Sequence, residues 1–225
     1  VLEIVEQGHD LGCHSLKHET VGDAAFNMPN DCPILEEELE RRLLKNIEII
    51  KSITGSRPQN FRAPRLWQGH GQIKVLENLG FKVDASYSVA THEKQIIPYH
   101  PSDTDWLQPG NMNILEIPNF AFLDSENDYS RFFGQNDQWP LLRLLGAEFV
   151  AENQKLVAER QAELTDKCVL LFYLHPWEFE VMPEKFEYDE GTFLFKPELT
   201  QNCGPRMAEE FEKYIRLCLE DGYKF

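Results

Sequence analysis

From Leu35 to Ile53 the apolar residues Leu35, Leu39, Leu43, Ile47 and Ile50 fall on one stripe at helical spacing, so an amphipathic helix is expected there. Glu36, Glu37 and Glu38 crowd its first turn, where the positive end of the helix dipole favours acidic groups, and Gly55 ends it. Val1 to Gln7 reads as the end of an earlier helix stopped by Gly8. Further helices are expected over Gly71–Leu79, closed by Gly80, over Ala147–Leu164, and from Gly204-Pro205 to about Glu220. Between them lie short apolar runs bounded by turn residues: Leu11–His14, Asn60–Ala63, Phe81–Ser86 and Ile114–Ile117. Val169–Leu174 is apolar throughout, as a strand buried on both faces would be. Tyr223-Lys224-Phe225 reads as the start of a last strand. Asp124–Pro140 is polar and aromatic and shows no period.

Strands alternating with helices imply an α/β fold with a parallel sheet, and we expect one domain over residues 1–225. His14, Arg62, Asp84 and His175 each stand at or near the carboxyl end of an expected strand. In parallel α/β barrels that edge carries the active site, so four distant segments point to one place.

The net charge of -16 disfavours nucleic acid and anionic membranes, which reward clustered Lys and Arg. A neutral saccharide is compatible with it. No apolar run is long enough to span a bilayer and no signal peptide is visible, although the chain starts at Val1 rather than Met. The five cysteines are widely spaced and include no C-x-x-C pair, which argues against a cysteine zinc site. Cys168 and Cys218 are expected to be buried thiols, and a reducing, cytoplasmic compartment is the mild preference.

His14 and His18 form an H-x-x-x-H pair. If the segment turns helically, their rings share a face at about 5–6 Å between Cβ atoms, a spacing that suits two imidazoles on one zinc ion. A solvated face explains the pair as well. Strand alternation points Cys13 away from it.

The surrounding residues narrow the choice. Gly8-His9-Asp10-Leu11-Gly12-Cys13-His14-Ser15-Leu16-Lys17-His18 resembles the second motif of the polysaccharide deacetylases (carbohydrate esterase family four). Phe61-Arg62-Ala63-Pro64 resembles their third motif, Asp84-Ala85-Ser86-Tyr87 their fourth, and Tyr173-Leu174-His175-Pro176-Trp177-Glu178 their fifth. The motifs stand in family order and the resemblance covers nearly the whole chain.

The resemblance implies a distorted, incomplete (β/α) barrel and a metal-dependent hydrolase that removes acetyl groups from an N-acetylated or O-acetylated saccharide. His14 and His18 would hold the metal, most commonly zinc, which polarises the acetyl carbonyl and activates water. His175 would be the general acid and Asp84 its carboxylate partner. Arg62 would orient the catalytic carboxylate of the family's first motif, an Asp-Asp pair. No Asp-Asp pair occurs in the chain, so it is expected to lack that motif through truncation and to be inactive or nearly so alone. Arg65 stands where the family usually has an aromatic. Its backbone N–H could serve in an oxyanion hole, a role worth about 3–4 kcal/mol, and its side chain would suit an acidic or phosphorylated substrate. Tyr173 stands where the family often has Leu in the acetyl pocket. Trp67 and Trp177 are candidates to stack on a sugar, with core packing the equal alternative; for Glu178 the alternatives are a sugar hydroxyl or a surface salt bridge. Two other readings stay open: a cyclic amide or imide hydrolase of the same fold, and a non-catalytic saccharide-binding relative.

Overall fold

The computed structural model describes residues 1–22, 34–89, 95–119 and 139–225. These fall into two compact units, 1–119 and 120–225. Most of the Asp124–Pro140 segment lies outside the described residues, which resume at Trp139.

In the first unit a short helix α1 (Leu2–Glu6) precedes α2 (Glu36–Thr54), and strands β1 (Asn60–Phe61), β2 (Val83–Asp84) and β3 (Leu115–Glu116) flank α3 (His70–Asn78). The strands pair in the order β1-β2-β3, all parallel, with Phe61 opposite Asp84 and Asp84 opposite Glu116. Cys13 adds a parallel bridge to Phe61. The four expected strands therefore sit side by side, each shorter than its apolar run. Helix α2 forms where its stripe demands: Leu39, Leu43 and Ile47 are buried, and Gly55 closes it with φ 76, a left-handed angle that glycine adopts without strain. Ile73, Val75 and Leu76 of α3 are buried likewise. Each such side chain contributes about 2 kcal/mol of burial.

In the second unit α4 (Leu141–Leu145), α5 (Ala147–Ala162) and α7 (Pro205–Glu220) enclose a core of Leu141, Leu142, Val150, Val157, Met207 and Tyr214. Helices α4, α5 and α7 pack on one another, and Glu210 accepts the Ala147 N–H at 2.7 Å, so α7 caps the start of α5. A hairpin of β4 (Lys185–Tyr188) and β5 (Gly191–Leu194) and a turn of helix α6 (Pro197–Thr200) lie between α5 and α7. No described helix is long and apolar enough to cross a membrane.

Three expectations are corrected. Val169–Leu174 is not sealed on both faces: Val169 is exposed and 170–174 are half-buried. Alternate residues Leu170, Phe172 and Leu174 pack on the helical core, so the run has a buried and a less buried side. Cys168 is exposed, because burial begins only at Leu170; its thiol reaches the Ala158 carbonyl at 3.3 Å. Tyr223–Phe225 is no strand. The Gly222 and Tyr223 amides bond back to Leu219 and Cys218, both at 3.0 Å, closing α7 and consuming the donor a strand would need.

Candidate functional site

Cys13 is buried in the sheet and the next side chain, His14, is exposed, as strand alternation requires. Burial pushes the Cys13 thiol up to about 12, so it stays protonated and inert. The H-x-x-x-H segment is not a helix. Ser15 and His18 take left-handed φ values of 59 and 57, and this turn brings the two rings to 5.0 Å between centroids, edge to face at 71°. Glu19 secures the turn: its carboxylate accepts Ser15 Oγ at 2.8 Å, the Lys17 N–H at 2.6 Å and Arg42 Nη1 at 2.9 Å. Burial alone would raise its pKa, but these hydrogen bonds, with one from its own backbone, hold it at about 2.

His14 Nδ1 meets the Arg62 carbonyl oxygen at 2.8 Å. A carbonyl only accepts, so Nδ1 carries the proton and the lone pair lies on Nε2. Metal-ligating histidines are commonly fixed in this way by a backbone carbonyl. The pair fits a metal such as zinc on three counts: donor type, convergence of the rings, and the fixed tautomer of His14. A catalytic zinc usually takes three protein ligands, and these two are histidines; among the described residues no group of three or more His, Cys, Asp or Glu side chains is placed to hold a metal.

Arg62 follows β1 and reaches across the strand ends, donating to the Ala85 carbonyl at 3.1 Å and to Asn119 Oδ1 at 3.2 Å. Asp84 ends β2 and is fully buried; it accepts Gln68 Nε2 at 2.7 Å and the Ser86 hydroxyl. Ser86 Oγ in turn accepts the Ala63 N–H at 2.8 Å and thereby ties down the turn that carries Arg62 and Arg65. Beside Asp84, Glu116 is also 0% exposed, and its Oε1 accepts the Ser86 and Tyr87 amides at 3.0 and 2.8 Å. Burial raises the pKa of both carboxyls, and the Asp84 charge pushes Glu116 well up. Glu116 Oε2 is buried without a hydrogen-bond partner among the described residues, and burial beside Asp84 favours the protonated form of the Glu116 carboxyl. His14, Arg62 and Asp84 thus meet on one edge of the sheet, as their places in the sequence imply.

Arg65 and Leu66 are left-handed, with φ 59 and 61. This fold-back sends Trp67 into the core, where it is 1% exposed, so its faces do not reach a sugar and its role as a stacking residue is withdrawn. The Arg65 guanidinium lies 5.0 Å from the Trp67 ring centroid and donates to Thr20 Oγ1 at 3.0 Å.

The second unit holds the fifth motif. His175 starts a 3₁₀ turn, Pro176–Phe179. Trp177 stacks on its ring at 5.5 Å and 26°, while Trp139 and Tyr173 present edges at 5.0 and 5.8 Å. Its Nδ1 faces Glu178 Oε1 at 3.2 Å. Glu178 is not at the surface: the Arg143–Glu178 ion pair, 2.8 Å long, has side chains 0% and 1% exposed. The resemblance makes Asp84 the partner of His175; within its own unit the ring meets Glu178. Sequence reasoning passed over Arg143, Glu116 and Asn119. Two of these carried a signal, a charge inside an apolar run, in Leu141-Leu142-Arg143-Leu144-Leu145 and Ile114-Leu115-Glu116-Ile117.

These features define a parallel α/β protein with a histidine pair of metal-ligand type at the carboxyl edge of its sheet. The polysaccharide deacetylase model matches residues 1–83. A peptidoglycan deacetylase-like protein of Gibberella zeae is 30% identical over 131 residues, 51% of this chain and 35% of the relative. A peptidoglycan deacetylase of Helicobacter pylori is 30% identical over 136 residues, 54% of this chain and 42% of the relative. The chain thus spans well under two thirds of either relative's length. A crystal structure from Mycobacterium smegmatis named as a polysaccharide deacetylase aligns at 19% identity and TM-score 0.42, covering 71% of this chain and 47% of that one.

Proposed function

We propose that the protein is a metal-dependent hydrolase that removes acetyl groups from an N-acetylated saccharide, with peptidoglycan-type glycans the first substrate class to test. The observation that carries this reading is the convergence of His14 and His18 at 5.0 Å with His14 locked through Nδ1. The family match over residues 1–83 and the two curated relatives support it. In this reading the three parallel strands are part of an incomplete (β/α) barrel.

His14 and His18 would hold a divalent ion, zinc first. When bound, the ion supplies Lewis acidity toward the acetyl carbonyl and toward water. The chain's own residues do the rest. The Arg62 carbonyl fixes the His14 ring, and Glu19 fixes the turn that presents both rings. Arg62 directs a guanidinium across the strand ends. By the resemblance, His175 would be the general acid that protonates the leaving amine. Tyr173 and Trp177, whose rings lie 5.8 and 5.5 Å from that of His175, would line the substrate.

Acetate release from N-acetylated, O-acetylated and cyclic-amide substrates, by the chain supplied with the Asp-Asp strand of the family's first motif, tests the reading. Release from the N-acetylated saccharides, lost in His175→Ala, is expected. Turnover of cyclic amides alone, or saccharide binding without any release, overturns it.

A further inference from the structure

A carboxylate removed from water persists only where donors and counter-charge replace its hydration. Glu178 has both. Its Oε1 accepts Trp139 Nε1 at 2.8 Å, the His175 backbone N–H at 2.8 Å and His175 Nδ1 at 3.2 Å. Its Oε2 accepts Arg143 Nε at 2.8 Å. Arg143 is held in turn by carbonyls at the end of α6: Nη1 donates to Glu198 and Gln201 at 2.8 and 2.7 Å, and Nη2 to Leu199 at 3.3 Å. Burial would raise the Glu178 pKa, but the hydrogen bonds from His175 and Arg143 outweigh it and hold the carboxyl below the usual range. Glu178 is therefore an anion that can only accept.

We infer that Glu178, anchored by Arg143, is the positioning residue for His175: it accepts a hydrogen bond from Nδ1–H and leaves Nε2 to exchange protons with substrate. The inference rests on the reading of His175 as the general acid. A neutral imidazole has one N–H, so an ionised carboxylate at Nδ1 selects the tautomer whose lone pair is on Nε2. Protonation at Nε2 makes an imidazolium whose charge faces the Glu178 carboxylate. As the C–N bond breaks, Nε2–H gives its proton to the amine nitrogen and the ring returns to the neutral Nδ1–H form. Glu178 keeps its charge throughout. Trp177 stacked on one face and the Trp139 edge limit rotation of the ring, so the hydrogen bond and the aromatic walls set one orientation. The turn is a capping box between His175 and Glu178, and the wholly buried Arg143 counter-ion on Glu178 Oε2 goes beyond what such a cap needs.

The test is the tautomer of His175, read from imidazole nitrogen shifts in the full chain labelled with ¹⁵N-histidine. Nδ1–H is expected in the wild type. Arg143→Met with Glu178→Leu removes both charges together, the form of replacement a buried pair tolerates. This double variant is expected to release the tautomer to Nε2–H, and Asp84→Asn is expected to leave it unchanged. Retention of Nδ1–H in the double variant, or a switch caused by Asp84→Asn, overturns the inference. Glu178→Gln with Arg143→Met serves if that double variant does not fold: the amide oxygen keeps three donors, so the tautomer holds while both charges are gone. On an N-acetylated saccharide, kcat of the chain supplied with the Asp-Asp strand is then expected to fall about a hundredfold with KM unchanged, and no further when His175→Ala is added. An unchanged kcat in this variant overturns the inference. Absence of any acetate release by the wild-type chain supplied with the Asp-Asp strand sinks the deacetylase reading instead, and the tautomer still decides this one.

Discussion

Arg143 stands in the middle of Leu141-Leu142-Arg143-Leu144-Leu145 with a side chain 0% exposed, where an uncompensated guanidinium would be costly. Glu178 and three carbonyls of the α6 end supply its compensation. Removing one partner of such a pair leaves the other charge buried. Arg143→Met alone is therefore expected to lower unfolding stability by about 3–5 kcal/mol, read from urea denaturation, whereas Arg143→Met with Glu178→Leu recovers most of the loss. Because the Glu178 pKa is depressed in the folded state, its contribution is full above the unfolded carboxyl value and is lost as pH falls through the folded one. The gap between wild type and Arg143→Met should accordingly narrow in acid. A single substitution as mild as an exposed salt-bridge loss would contradict a buried network here.

At the scale of elements, the parallel sheet ends in a carboxyl pair with the opposite pH behaviour. Asp84 and Glu116, adjacent in register on β2 and β3, have raised pKa values through burial and mutual charge. Their stabilising effect is fully present below the unfolded carboxyl values and is lost as pH rises through the folded ones. Glu116→Gln removes the titrating carboxyl and keeps the amide-accepting oxygen, so its urea midpoint should fall less with rising pH than that of the wild type. Equal slopes would mean that the pair does not hold the proton. The sequence reading placed these elements well where period and burial agree: α2, α3, α5 and α7 lie within two residues of the expected bounds. It overestimated burial at Val169–Leu174, since a continuous apolar run does not say how many faces are covered. It passed over the β4–β5 hairpin, although Phe186 and Tyr188 alternate with Lys185 and Glu187 before Asp189-Glu190-Gly191.

For the whole molecule, the legible part of the site was the part written as spaced motifs. His14, Arg62 and Asp84 reach one sheet edge because each ends a parallel strand, which sequence order and strand period foretell. Trp67 was not legible, since its burial follows from left-handed angles at Arg65 and Leu66 that no periodicity encodes. Nor was the role of Glu178: its buried partner lies 35 residues away in a helix whose period gives no hint of the contact. The central claim is that a metal held by His14 and His18 drives removal of the acetyl group. It is tested most directly by following acetate release from an N-acetylated glycan by the chain supplied with the family's Asp-Asp strand, after chelation and again after adding zinc. The account predicts that chelation abolishes release, that zinc restores it, and that His14→Ala and His18→Ala are not restored at the same zinc concentration. Release that survives chelation, or that either histidine variant retains in full, would contradict it.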